Sequence, residues 1–218
     1  MGLRITMTGP LHSLVTQVRG QLKDVKVQNK RALKGTLSGE VFIKLPLSGG
    51  GTAGRRLQGN GNLVARNGEL TNVDLINKVQ RVTGLIGLSP NERREATTFK
   101  TLEATFVVAD GFADFKRLYL INPQIEMNGS GTMTLERPSL NIAMEAVLSA
   151  EASACAGKGK TATFFKDSQG RIVVPLKITG PVERASVDLD SSKMLQRGSG
   201  QVVEKGFGTF FKQLFRKR

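Results

Sequence analysis

Apolar residues recur at every second position in run after run of this chain. Leu3, Ile5 and Met7 alternate with Arg4, Thr6 and Thr8, and Val41, Ile43, Leu45 and Leu47 alternate with Phe42, Lys44 and Pro46. Leu118 and Leu120 form a short run that Asn122-Pro123 breaks. Ile125 and Met127 come next, and Met133 and Leu135 follow Gly129-Ser130-Gly131. The longest alternation holds Leu140, Ile142, Met144, Ala146 and Leu148. Late in the chain come Ile172, Val174, Leu176 and Ile178, and then Val187 and Leu189. Side chains of an extended strand point alternately to its two faces, so each run predicts a strand with one apolar face. Such strands joined by short turns build an antiparallel meander.

The turns are signalled by a pattern that occurs twice. Asn62-Leu63-Val64-Ala65-Arg66-Asn67-Gly68-Glu69-Leu70 returns as Thr105-Phe106-Val107-Val108-Ala109-Asp110-Gly111-Phe112-Ala113. Each copy reaches Asn-Gly or Asp-Gly, whose residues accept positive φ, so each predicts a hairpin. The glycine pairs Gly59-Asn60-Gly61 and Gly129-Ser130-Gly131 fall within strands, where they predict a bulge or sharp bend. A strongly curled sheet with one apolar face encloses a trough.

Two segments carry a helical period instead. In 72–88, Leu75, Val79, Val82 and Ile86 share one face, with Asn72 as cap and Pro90 as stop. From about Gln201, Val203, Phe207, Phe210, Phe211, Leu214 and Phe215 form one stripe, closed by Arg216-Lys217-Arg218. Cations at that end suit the helix dipole. This tail has two readings. Its aromatics enter a membrane surface while Arg216, Lys217 and Arg218 meet head groups, or it caps the end of the sheet. The expected organisation is a β domain over 1–195 and a basic amphipathic helix over 196–218.

The 218 residues are enough for a sizeable core. The net charge of +14 is uneven: residues 1–100 hold 16 Lys/Arg against 6 Asp/Glu, and the last 23 residues hold 6 against 1. Basic surfaces attract the phosphates of nucleic acids or anionic lipids, or lie simply solvated on a sheet. One Tyr and no Trp leave no aromatic-basic repeat for stacking bases, Phe42, Lys44, Arg55 and Arg56 coming nearest. No nucleic-acid partner is expected. No run of about 18 apolar residues predicts a spanning helix, and no apolar leader segment predicts a signal peptide.

Catalytic patterns fail on inspection. Gly157-Lys158-Gly159-Lys160-Thr161 resembles a phosphate loop, but position 154, where its leading Gly belongs, holds Ala154. His12 has no Cys or His cluster around it, and Cys155 has no second Cys or neighbouring His to activate it. The expectation is a non-enzymatic protein without metal or cofactor.

A longer ordered series of residues resembles a family. It begins with Gly35-Thr36-Leu37-Ser38-Gly39, Leu57-Gln58-Gly59-Asn60-Gly61-Asn62-Leu63, Asn67-Gly68-Glu69-Leu70 and Val73-Asp74-Leu75. It goes on through Thr98-Phe99, Leu102, Asp110-Gly111, Leu118-Tyr119-Leu120, Asn122-Pro123 and Gly129-Ser130-Gly131-Thr132. It closes with Val174-Pro175-Leu176-Lys177-Ile178-Thr179-Gly180-Pro181-Val182 and Val187-Asp188-Leu189. Over roughly residues 35–190 this looks like the C-terminal region of the AsmA family, which is related to TamB and to bridge-like lipid transporters. Pro181-Val182-Glu183-Arg184 departs from the family's usual Asp-Pro closing turn.

The resemblance implies a periplasmic protein of the bacterial envelope, held at the inner membrane by an N-terminal helix absent from this chain. It implies a β-groove or half-barrel that conducts phospholipid toward the outer membrane. The expected partners are phospholipid acyl chains and an anionic membrane surface. An outer-membrane protein partner belongs to the alternative reading, an assembly factor of the same fold. The groove floor would comprise Ile125, Met127, Met133, Leu135, Ile142, Met144, Leu148, Ile172, Val174, Leu176 and Ile178. The other reading of these residues is a closed core under a helix.

Overall fold

The computed structural model describes residues 2–8, 15–28, 33–46, 52–71, 75, 77, 79, 96–156 and 165–193. It is mostly β. Ten strands run in chain order: β1 (Gly2–Thr8), β2 (Val15–Gln28), β3 (Leu33–Pro46), β4 (Gln58–Thr71), β5 (Ala96–Ala109), β6 (Phe112–Ile121), β7 (Ile125–Thr134), β8 (Ser139–Leu148), β9 (Val173–Pro181) and β10 (Ser186–Leu189). Every strand pairs antiparallel with its neighbour in sequence, giving one sheet in the order β1 to β10. The edges β1 and β10 do not pair with each other, so the sheet is open.

Among the described residues, the elements that interrupt the meander include α1 (Ala53–Arg56) between β3 and β4, α2 (Ala150–Ala156) after β8, and a single 3-10 turn (Val182–Arg184) between β9 and β10. Alternation did not announce α2, because its run Ala152-Ser153-Ala154-Cys155-Ala156 is small-residue throughout. Ser153 anchors it: its hydroxyl donates to the Leu148 carbonyl (3.3 Å) and accepts from the Ile172 N–H (3.0 Å). Of the helix expected over 72–88, Leu75 and Val79 are helical and buried, and the Leu75 N–H donates to Thr97 Oγ1 at 2.8 Å. Val82 and Ile86 lie outside the described residues, as does the whole tail from 194 with Phe207, Phe210, Phe211, Leu214, Phe215, Arg216, Lys217 and Arg218. Gly157 to Thr161, His12 and Leu47 also fall outside.

The two Asx-Gly pairs behave differently. Asp110-Gly111 makes the two-residue turn between β5 and β6, with φ of 52° and 85° and Ala109 facing Phe112. Asn67-Gly68 does not turn the chain. It lies inside β4, where Asn67 at φ 48° is an extra residue against β3, between the pairs Thr36–Arg66 and Lys34–Glu69. The left-handed geometry that suits a tight hairpin equally suits a bulge, and strands on both sides claim the flanking residues. The pairs Gly59–Gly61 and Gly129–Gly131 do sit within strands. The irregularity near the second lies on its neighbour, β6, between Phe115 and Leu118.

Candidate functional site

The site that the register builds is one whole face of the sheet. Directly paired residues of an antiparallel sheet share a face. From β2 to β10 one row reads Gly20, Val41, Gly61, Phe106, Phe115, Gly131, Ile142, Ile178, Val187. The next reads Leu22, Gly39, Leu63, Ala104, Leu118, Gly129, Met144, Leu176, Leu189. A third runs Val25, Leu37, Ala65, Leu102, Leu120, Met127, Ala146, Val174. No position in these rows is polar. The bulges keep them so: an extra residue between Leu22 and Val25, and another between Phe115 and Leu118, returns each pair to the same face despite an odd spacing.

The two ends of this face differ in cover. At the end of the β8–β9 connection, α2, Phe165, Leu75 and Val79 close on the sheet, joining it in one core through Ala152, Phe165, Leu75 and Val79. Of the expected floor residues, Ile125, Met127, Ile142, Met144, Leu148, Ile172, Val174, Leu176 and Ile178 belong to this core, none more than 7 % exposed. The structure brings these nine together as packed core. Met133 and Leu135 lie toward the other end and are partly exposed. The floor expected from sequence left out Val41, Ile43, Leu63, Phe106 and Phe115, which lie on β3 to β6 of the same face and are also partly exposed. Phe106 and Phe115 meet edge to face at 6.0 Å across β5 and β6. The bulge between Phe115 and Leu118 hides Phe115 from a period-2 search, although the glycines paired with the two rings, Gly61 and Gly131, were a usable signal.

At that end α1 reaches from the β3–β4 connection to the turns beyond. Gly54 approaches Glu136 and Leu135, and Arg55 lies beside Gly111. The Thr52 hydroxyl donates to the Glu136 carboxylate. A cleft of 380 Å³ separates α1 from the turns, lined by Arg55, Asp110, Gly111, Phe112, Thr134 and Glu136.

The opposite face carries a cross-linked polar cluster. Arg117 pairs with Glu103 at 3.7 Å and lies 5.0 Å from the Tyr119 ring centre, and the Tyr119 hydroxyl donates to Glu126 at 2.8 Å. That bond, with desolvation and the Glu126 charge behind it, raises the Tyr119 pKa above the ordinary phenol value. Among the described residues, no helix is long and apolar enough to cross a membrane. Comparison of the chain with protein-family models, with curated proteins and with solved structures finds no match.

Proposed function

We propose that this protein is a non-enzymatic lipid carrier whose apolar sheet face holds phospholipid acyl chains, a β-groove of the AsmA-like kind serving traffic between two membranes of a cell envelope. The observation that carries the reading is the unbroken apolar face, continuous from β2 to β10 without a polar position in its rows. A sheet that needed only a core under one helix would have no use for so long a surface.

Glycine placement supports inward curvature of that face. Gly20, Gly39, Gly59, Gly61, Gly129, Gly131 and Gly180 all lie on the apolar face. Side chains on the inside of a curl converge, so missing β-carbons are useful there, and bulges on β2, β4 and β6 bend the strands further. The reach of α1 from β4 to the β7–β8 turn fits the same curl.

The stretch for acyl chains is the partly exposed one: Val41, Ile43, Leu63, Phe106, Phe115 and Met133. The covered end makes the closed floor that holds the curl in shape. Burying each CH₂ of a chain contributes about 0.8 kcal/mol, so part of one chain gives reversible affinity. Adaptable Met133 and the aromatic pair accept different chains.

Native mass spectrometry with lipid extraction tests this on the purified chain beside Leu63→Glu and Phe106→Glu variants. Bound phospholipid that is lost from variants of unchanged circular dichroism supports the groove. A folded, lipid-free wild type sinks it, and a stoichiometric outer-membrane protein in place of lipid turns the reading to an assembly factor.

A further inference from the structure

The face turned away from the apolar rows carries a concavity of its own. Across β2, β3 and β4 the register sets Arg19 against Phe42 and Phe42 against Asn60. One step along, Gln21 faces Glu40 and Glu40 faces Asn62. These six side chains rim a trough of 480 Å³ over the backbone of Gly20, Val41 and Gly61. That volume lies within the range of small-molecule sites, roughly 300–1,000 Å³. The Arg19 guanidinium stands 6.0 Å from the Phe42 ring centre, and Gln21 Nε2 donates to Glu40 Oε1 at 3.0 Å. Asn60 and Asn62 are exposed.

We propose that this trough binds a neutral, hydroxyl-rich ligand: a short segment of glycan. Charge argues against an ionic one. Arg19 and Glu40 both line the same space, so an anion meets the carboxylate and a cation meets the guanidinium. The remaining groups are amides, which donate and accept at once, as hydroxyl groups also do. The strands set these groups on a lattice of about 5 Å by about 7 Å, a spacing that reaches several hydroxyls of one or two sugar rings. Phe42 supplies the apolar surface on which the C–H face of a sugar ring packs. An extended peptide is a poorer occupant. β3 is paired on both sides, so no free strand edge is present to align its backbone.

The test is calorimetric titration of the full chain with three soluble tetrasaccharides: chitotetraose, cellotetraose and maltotetraose. Saturable binding of at least one is expected, weakened about tenfold or more by Asn62→Ala and by Phe42→Ala, the loss of one well-made contact each. Asn62→Ala alters only an exposed side chain and carries the test if Phe42→Ala melts early. Absence of heat with all three sugars overturns the proposal. So does binding that neither substitution changes. The lipid reading stands or falls separately, on Leu63→Glu and Phe106→Glu, because neither Leu63 nor Phe106 lines the trough.

Discussion

The Phe106 ring lies over Gly61, so close that a β-carbon at position 61 would stand 2.7 Å from its Cζ and 3.0 Å from the Glu40 carbonyl oxygen. The ring occupies the space that a side chain on β4 would fill. Phe99 covers Gly68 and Met144 covers Gly129 in the same way, at 2.4 and 2.6 Å from the β-carbon positions. Large side chains on one strand are thereby matched to glycines on the next, and the face stays apolar without overpacking.

Gly61→Ala is therefore expected to destabilise the fold by about 1–3 kcal/mol, the usual cost of overpacking. Phe106→Leu withdraws the ring tip, so the double variant should lose less than the two single losses combined. Urea unfolding of the four proteins measures this coupling. Strict additivity would show that the ring and the glycine do not share that space.

The two ends of the apolar face should answer truncation differently. Leu176 is fully buried, and Leu176→Ala should cost about 2–5 kcal/mol through lost transfer energy and the cavity left behind. Met133 is partly exposed, so Met133→Ala should cost about 1 kcal/mol, within the ordinary range for point substitutions. Equal losses in thermal unfolding would mean that both ends are closed alike.

Asp167 gives the stability a dependence on acid. Desolvation opposes its ionisation, but the Arg171 and Gln169 backbone N–H groups (both 2.9 Å) and the Arg171 guanidinium outweigh it and lower its pKa. A lowered native pKa stabilises the fold above the unfolded value of about 3.9, and this contribution is lost as pH falls through the native value. Wild type should melt higher than Asp167→Asn at neutral pH, and the difference should close on acidification. A difference that persists in strong acid would contradict the assignment.

Tyr119 gives the opposite sign at the alkaline end. Its pKa is raised chiefly by the hydrogen bond to Glu126. The linked stabilisation is present below the unfolded value, about 10, and is lost as pH rises through the higher native value. The chain has a single Tyr, so its ultraviolet titration is read without overlap. Glu126→Gln should bring the midpoint down toward the ordinary value, and an unmoved midpoint would discard the bond as cause.

Much of this architecture is legible in the chain because strand alternation is local. Which of Leu140, Ile142, Met144, Ala146 and Leu148 share a face follows from backbone geometry alone, and the structure places all of them on the apolar face. Asp110-Gly111 was legible for the same reason, since two residues that accept positive φ suffice to close a hairpin. The long strand β2 was not, because a bulge after Leu22 shifts Val25 and Val27 out of its phase.

Tertiary structure decided the rest. Asn67 carries a left-handed preference that both a turn and a bulge satisfy, and the pairing of its flanks with β3 and β5 chose the bulge. Pattern alone assigned Met133 and Met144 to one floor. Their fates part because α2, Phe165, Leu75 and Val79 arrive from distant parts of the chain to cover one end of the sheet. Periodicity tells a side chain which face it occupies. Whether that face meets solvent or protein depends on contacts that no local pattern encodes.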